Sequence, residues 1–423
     1  MLPSPSTLPP LPAAEAAEES DPHFPLGLTP AEKQWSDLYP YVARRGYQLR
    51  SRYRPGWVGS WLQEGISTAE LLLRPTWRYE YEDASPSPGR LTVMDATRIS
   101  DGTPVALKLI SMSAQINTPD SNELEILQYL SSPALDQDPR NHCIQMIDGF
   151  EVFTPSEMKQ LSMQGFSNAY IVVFPFARKW TDIPFRLVWE SLEFIRQILD
   201  GLAFLHEHNI AHRDIRSENI MMDATSQCFS GDYFLDAFVI ATNPCDRIDT
   251  PVRYLFIDLG SSTKFDQCRL VRFRHGWHKD IPEIYELDNE GNRVPTRLYD
   301  PFKGDIFVLG MVLERYFGKA CSLIHRSIPC LRPLFSLMLS NSPTDRPTAS
   351  EALSLFCQYT KPIYASRIRS IMPVSDPCTL EDEDLDFITR WMALTVAYIW
   401  GWVDYLRLVY KILWRGHQLR ITL

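Results

Sequence analysis

The sequence has no CxxC pair among its eight cysteines, which argues against a zinc ribbon or a dithiol redox motif. Cys143, Cys228, Cys245, Cys268, Cys321, Cys330, Cys357 and Cys378 are scattered and read as reduced thiols of an intracellular protein. A basic leader followed by an apolar core is also missing: the chain begins MLPSPSTLPPLPAAEAAEES, proline-rich and then acidic. No signal peptide is expected, and 1–27 is expected to be a disordered tail, because so little apolar surface cannot offset ordering entropy. Internal repeats are absent. Positive charge is in deficit, with 42 Lys and Arg against 52 Asp and Glu. A general nucleic-acid binder needs a basic stripe to displace counterions, so no nucleic-acid partner is expected.

What the chain does have is apolar material: 45% of 423 residues are hydrophobic, enough for two packed lobes plus appendages. Thr29, Pro30 and Glu32 form a helix cap and first turn, and Trp35, Leu38, Tyr39 and Val42 then share one helical face. An extended Arg/Trp segment is expected to follow, to about Trp61. RLTVMDATRI and TPVALKLI flank the turn Ser100-Asp101-Gly102 and read as strands. NELEILQYL reads as a helix, CIQMI and NAYIVVF as strands, and VWESLEFIRQILDGLAFLHEH as a long helix. Loop-rich insertions are expected from Ile147 to about Asn168 and between Met222 and Tyr254. Strands with one helix, then mostly helices, predict an α+β chain in two lobes. The expected divisions are the tail 1–27, an N-terminal extension 28–76, a small β-rich lobe 77–177, a larger helical lobe 178–372, and an acidic linker with an aromatic C-terminal helix at 373–423.

The densest polar motif is His212-Arg213-Asp214-Ile215-Arg216-Ser217-Glu218-Asn219. A carboxylate such as Asp214 can orient a hydroxyl nucleophile and accept its proton, while Asn219 offers a hard carbonyl oxygen to a divalent cation. An isolated His-Arg-Asp is more often a salt-bridged surface turn, so its company matters. Downstream, Tyr254-Leu255-Phe256-Ile257-Asp258-Leu259-Gly260 reads as a buried strand ending in a carboxylate suited to the same cation and a turn glycine. Upstream, Val105-Ala106-Leu107-Lys108 places a lysine on an apolar strand, where its charge needs a partner. A phosphate and a carboxylate both fit, and the following helix offers Glu123, with Glu125 as the competing choice. Ile281-Pro282-Glu283, the helix carrying Asp305 and Gly310, and Arg346 complete the series, with Glu283 and Arg346 expected as a buried ion pair.

In this order the motifs resemble the eukaryotic protein-kinase fold, over roughly Tyr79 to Cys357. More narrowly, GYQLRSRYRPGW, MDATRISDG, HRD followed by NIMMD, and YLFIDLGSSTK are similar to a kinase-like group from mushroom-forming (basidiomycete) fungi. The resemblance implies a bilobal protein-kinase-like fold and transfer of the ATP γ-phosphoryl group to a protein hydroxyl, with ATP and Mg²⁺ as cofactors. By resemblance, Lys108 would grip the phosphates and pair with Glu123. Asp214 would be the catalytic base, and Arg216 would steady the transferring group where Ser/Thr kinases usually carry lysine. Asn219 and Asp258 would bind Mg²⁺. Ala106 and Val93 would roof the adenine, Met221 would floor it, Val173 would guard the back of the pocket, and Phe174 to Ala177, including Phe176, would be the hinge. Glu218 before Asn219 leans to Ser/Thr over Tyr.

Two stretches depart from that family pattern. Counted back without gaps from Val93, the phosphate-loop glycine positions fall on Pro86, Pro88 and Leu91, and proline has no N–H to offer a phosphate. A pseudokinase scaffold with weak or no turnover is therefore the alternative. Arg50 to Arg54 stand either as a substitute clamp or as a solvated basic segment on the small lobe. Between Leu259 and Ile281 there is no Ser, Thr or Tyr after Thr263, but Arg269, Arg272, Arg274, His275, His278 and Lys279. Activation-loop phosphorylation is not expected, and the basic run recruits an anion or is simply solvated. The tail FITRWMALTVAYIWGWVDYLRLVYKILW reads as a helix docked on the large lobe, an interfacial membrane helix or a spanning helix. Asp404, Arg407 and Lys411 weigh against the last. The expected location is cytoplasmic, with peripheral membrane association if the tail is interfacial.

Overall fold

The computed structural model describes residues 26–74, 77–84, 92–111, 123–152, 169–182, 185, 187–223, 247, 252–266, 270–272, 281–287, 293–295, 298–318 and 328–361. Residues 85–91, most of the 267–280 stretch, the cores of both insertions and the 373–423 tail lie outside the described residues, and so do the expectations made of them. The rest falls into two compact units.

The first unit comprises described residues from 26 to 111 with 147–152 and 169–176. Helix α1, Pro30–Arg44, starts at a capping box in which Thr29 and Glu32 exchange side chain and backbone N–H, as their spacing predicts. Its Trp35, Leu38 and Val42 are buried. They pack on a five-stranded antiparallel sheet of order β1-β2-β3-β5-β4, formed by Tyr47–Gln48, Val93–Arg98, Pro104–Ser111, Ala169–Pro175 and Asp148–Glu151 respectively. Strand side chains alternate between faces. Met94, Ala96, Val105, Leu107, Leu109, Ile171 and Val173 turn to the α1 side. That leaves Val93, Ala106 and Lys108 on the opposite face. Gly102, at φ +72°, makes the β2–β3 turn.

Two expectations fail here. The Arg/Trp segment is not extended: after β1 it forms a 3₁₀ turn, Ser51–Tyr53, and short helices Ser60–Gln63, Thr68–Leu72 and Trp77–Glu80, around a small core of Trp61, Leu71, Tyr81 and Ala84. Of its arginines, Arg50 and Arg52 are buried rather than solvated, and Arg54 is exposed. Arg50 lies 3.0 Å from Asp95 of β2. Buried Arg52 donates to Glu32 at 2.8 Å and to the carbonyls of Leu26, Gly27 and Asp83. A buried guanidinium must fill its N–H groups with acceptors, so Arg52 ties four stretches of chain together. The strand that flanks β2 on the side away from β3 is therefore Tyr47–Gln48, and Trp77–Glu80 and Glu82–Ala84 are helical turns. Counting back from Val93 without gaps misses this, because residues 49–92 intervene between the two strands. CIQMI likewise is not a strand: Cys143 makes one bridge to Phe256, and β4 begins at Asp148.

The second unit holds 123–146, 177–223 and the described residues from 247 onward. Helix α2, Glu123–Leu130, precedes the buried Asn141-His142-Cys143 corner. Helix α3, Val188–Glu207, is 20 residues long and buries an almost continuous apolar face. Strands β6, Ala177–Lys179, β8, Ile220–Asp223, and β9, Tyr254–Phe256, form one antiparallel sheet. Strands β7, Ile210–Ala211, and β10, Thr263–Lys264, form another. Strands β11, Val271–Arg272, and β14, Leu298–Tyr299, pair antiparallel, and β12, Tyr285–Leu287, pairs with β13, Arg293–Pro295. Helix α4, Pro301–Leu313, is capped by Asp300 and helix α5, Ala349–Thr360, by a Thr348/Glu351 capping box. Among the described residues no helix is long and apolar enough to cross a membrane.

Candidate active site

The His212–Asn219 turn follows β7 and holds Arg213 in the left-handed region, at φ 63°, as Asn209, at φ 56°, is just before β7. Such geometry on a non-glycine residue needs outside support. Asp305 of α4 supplies it: its carboxylate accepts the backbone N–H of His212 and of Arg213, each at 2.8 Å. His206 Nε2 lies 3.1 Å from the same carboxylate. His212 is buried, and burial holds its pKa below the ordinary value. The Asp214 N–H donates to His212 Nδ1, so Nε2 carries the proton and donates to the Ile257 carbonyl at 3.1 Å.

This neutral imidazole joins the turn to the strand that carries Asp258. On the far side of the turn, Asn219 Nδ2 donates to the Asp214 carbonyl at 2.9 Å and to Asp214 Oδ2 at 2.8 Å. Arg216 Nε stands 3.2 Å from Asp214 Oδ1, and that oxygen is buried without a hydrogen bond. Burial pushes the Asp214 carboxyl above its usual range, with the charge of nearby Asp258 adding to the shift and Arg216 opposing it. Ser217 is anchored through its hydroxyl to Tyr316 at 2.9 Å.

Asp258 comes alongside because β9 pairs with β8 and the Ile257 N–H donates to the Asn219 carbonyl at 3.0 Å. It too is left-handed, at φ 61°. A Cβ added at Gly260 would sit 3.3 Å from Glu123 Oε2 and 3.4 Å from Asp258 Oδ1, so a larger residue there would crowd both carboxylates. Glu123 is buried, whereas Glu125 is exposed. The second unit thus brings Glu123, Asp214, Arg216, Asn219 and Asp258 around one turn and one strand end. Met221, on β8, pairs with Leu255 of β9 and Lys179 of β6.

In the first unit, Lys108 of β3 is opposite Val93 of β2 and Val172 of β5, and Ala106 is opposite Asp95 and Phe174. Cross-strand neighbours share a face. Val93, Ala106, Lys108 and Phe174 therefore line the face away from α1. Val173 does not: it is opposite Leu107 and packs in the α1-side core. The assignment of Val173 to the back of a pocket is corrected on this parity, and Phe174 is the residue that shares the Ala106 face. Phe176 is half-buried and joins β5 directly to β6.

Mg²⁺ takes one or two protein oxygens and keeps waters and phosphate oxygens for the rest of its shell. The residues fit that demand. Asn219 spends its Nδ2 on Asp214, which leaves its amide oxygen as the group to offer a cation, and Asp258 brings a carboxylate alongside. Among the described residues no trio of His, Cys, Asp or Glu forms a closed metal cage.

Farther along, Arg346 meets Glu283 in a two-pronged pair, both contacts at 2.7 Å, as expected from the sequence. Thr263 and Tyr299 are contacts that sequence reasoning missed: Arg213 Nη1 donates to Thr263 Oγ1 at 2.9 Å and Nε to the Tyr299 hydroxyl at 3.4 Å. No local signal could have found a partner 86 residues away.

Residues 91–235 match the family model described as the protein kinase domain. The matched stretch contains Lys108, Glu123, Asp214 and Asn219, and Asp258, outside it, is tied to it by the β8–β9 pairing. The chain is similar to serine/threonine-protein kinase pim-2 of Danio rerio, 30% identical over 149 residues, covering 31% of this chain and 43% of the relative. It is 39% identical over 113 residues to a meiosis induction protein kinase of Saccharomyces cerevisiae, covering 26% and 15%. It is 24% identical over 168 residues to the liver/testis phosphorylase b kinase gamma catalytic chain of Bos taurus, covering 39% of each. The chain spans less than half the length of these curated relatives.

Proposed function

We propose that this protein is a protein kinase that transfers the γ-phosphoryl group of Mg-ATP to a protein hydroxyl, Ser or Thr in preference to Tyr. The observation that carries the reading is the pair of hydrogen bonds that Asn219 Nδ2 donates to Asp214, with Asp258 brought beside them by β9. It leaves Asp214 Oδ1 facing no donor hydrogen bond, as an oxygen that can orient a substrate hydroxyl and take its proton. Arg216, beside that carboxylate, supplies positive charge where the transferred group is most negative. Asn219 and Asp258 would hold Mg²⁺, which supplies charge neutralisation at the phosphates, and Lys108 would bind the nucleotide phosphates and pair with Glu123. The match to the protein kinase domain and the Ser/Thr kinases among its relatives support this reading, as does Glu218 before Asn219. The likeness of its motifs to the kinase-like group of mushroom-forming fungi fits the same activity and names no substrate.

A pseudokinase scaffold is the second reading. It is favoured by Pro86, Pro88 and Leu91, and by the β1–β2 connection through 49–92, where kinases carry a short glycine loop. Thermal shift with Mg-ATP and transfer of labelled phosphate, each on wild type and Asp214→Asn, separate the two. A shift in both proteins with label only in wild type supports the kinase. No shift and no label in either sinks it. The aromatic tail is assigned to the membrane surface of a cytoplasmic protein if deleting 382–423 releases the chain from the pelleted membrane fraction.

A further inference from the structure

Arg213 is the residue through which a phosphate on the segment after Asp258 would act on the catalytic turn, since a guanidinium beside the base is a ready phosphate partner. Among the described residues its side chain already has two hydrogen-bond partners, the neutral hydroxyls of Thr263 and Tyr299. Thr263 lies on β10, five residues after Asp258 and paired with Ala211 of β7, the strand that leads into the turn. Tyr299 lies on β14 and pairs with Val271 of β11. Its ring packs with Ile281, Ile284 and Phe307, and a Cβ on Gly304 would come within 2.9 Å of it. One tyrosine therefore touches the catalytic turn through its hydroxyl, the 271–272 strand through its backbone, and the Ile281–Ile284 stretch and α4 through its ring.

The sequence independently removes the usual alternative. From Lys264 to Ile281 there is no Ser, Thr or Tyr to carry a phosphate. Burial also raises the Tyr299 phenol above its ordinary pKa, so it remains a neutral hydroxyl at neutral pH.

We propose that Tyr299, with Thr263, is a positioning residue that stands in for an activating phosphate, holding Arg213 and the β11 strand in the working arrangement so that the kinase is assembled without phosphorylation of this segment. The inference rests on the kinase reading above and adds its regulation. The β11–β14 pairing pins the segment by backbone bonds, and the Tyr299 hydroxyl couples that pinning to the turn carrying Asp214. Activity should then be set by the presence of nucleotide and substrate, with no upstream kinase acting on 264–281.

The test uses the full chain, casein as a generic hydroxyl-bearing protein and labelled Mg-ATP. Wild type treated with a broad phosphatase should keep its rate; a loss of about tenfold or more overturns the proposal. Tyr299→Phe removes only the hydroxyl and should lower kcat about tenfold with the KM for ATP and the unfolding midpoint little changed. A rate equal to wild type, or a rise in KM alone, overturns it. Arg213→Ala combined with Tyr299→Phe should be no slower than Arg213→Ala, because the hydroxyl acts through the guanidinium; multiplied losses overturn it. Hydrogen exchange gives a reading that needs no turnover: amides of 271–272 and 298–299 should exchange faster in Tyr299→Phe, and unchanged protection counts against the proposal. If wild type transfers no phosphate with or without phosphatase, the kinase reading fails, and the exchange result alone decides whether Tyr299 pins the segment.

Discussion

The Asp305 carboxylate grips Arg213 by its backbone: Oδ1 accepts the Arg213 N–H at 2.8 Å while Arg213 sits at φ 63°. A non-glycine residue in that region costs on the order of 1–3 kcal/mol and persists only where surroundings over-determine it. Asp305 is the group that does so, because its other oxygen accepts the His212 N–H.

Removing that support should relax the turn. Asp305→Ala leaves two buried N–H groups without acceptors, and the expected loss of stability is roughly 2–5 kcal/mol. Urea denaturation measures it. Phosphoryl transfer should fall with it, since Asp214 follows Arg213 directly; a variant with wild-type stability would show that the turn holds itself.

Asp214→Asn should lower transfer by about 10²–10⁴-fold, the range for losing a positioned base, and should raise the thermal midpoint. Burial lifts the Asp214 pKa in the folded state, so the fold favours the protonated form. The stability this group contributes is present at low pH and is lost as pH rises through the raised value. The gap in midpoint between variant and wild type should therefore widen from pH 4 to pH 7. The acid limb of the rate profile should lie above the ordinary carboxylate value of 3.8.

His142 and His212 should make the fold acid-sensitive. Burial lowers both, His142 to about 4 from the usual 6.5, so the native state keeps them neutral while the unfolded chain takes up protons. Their contribution is complete above pH 6.5 and declines as pH falls toward 4. For His142 alone the full effect is on the order of 3 kcal/mol. Unfolding midpoints between pH 7 and 4 measure the slope, and His142→Gln should flatten it; an unchanged slope would assign the sensitivity elsewhere.

Arg52→Met keeps much of the side-chain volume and removes the charge that answers buried Glu32. Breaking one side of a buried pair costs about 3–5 kcal/mol. Limited proteolysis should then cut between 26 and 84 faster than in wild type, while Arg54→Met, at an exposed position, should leave the pattern alone.

Much of the local structure was legible before any coordinates. Thr29 and Glu32 announced the start of α1, Ser100-Asp101-Gly102 the β2–β3 turn, and three-to-four spacing the helix Val188–Glu207. Each is a contest among neighbours in the chain, decided within a few residues. Legibility stopped where an apolar run had to choose a face or a partner. CIQMI looked like a strand, yet all but one of its residues are unpaired in any sheet. Val173 and Phe174 are equally buried types, and only their opposite numbers on β3 tell them apart.

From the sequence alone came the polar groups capable of the chemistry, their order along the chain, and the lack of a phosphate acceptor between Lys264 and Ile281. Covalent order and residue type are enough for those. Tertiary structure alone decided that Arg50 and Arg52 are buried, that β1 comes from Tyr47–Gln48, that Glu123 rather than Glu125 faces Gly260, and that Arg213 rests on Tyr299. These are long-range choices, made when loops close and buried charges must each find a partner, and no spacing in the chain records them.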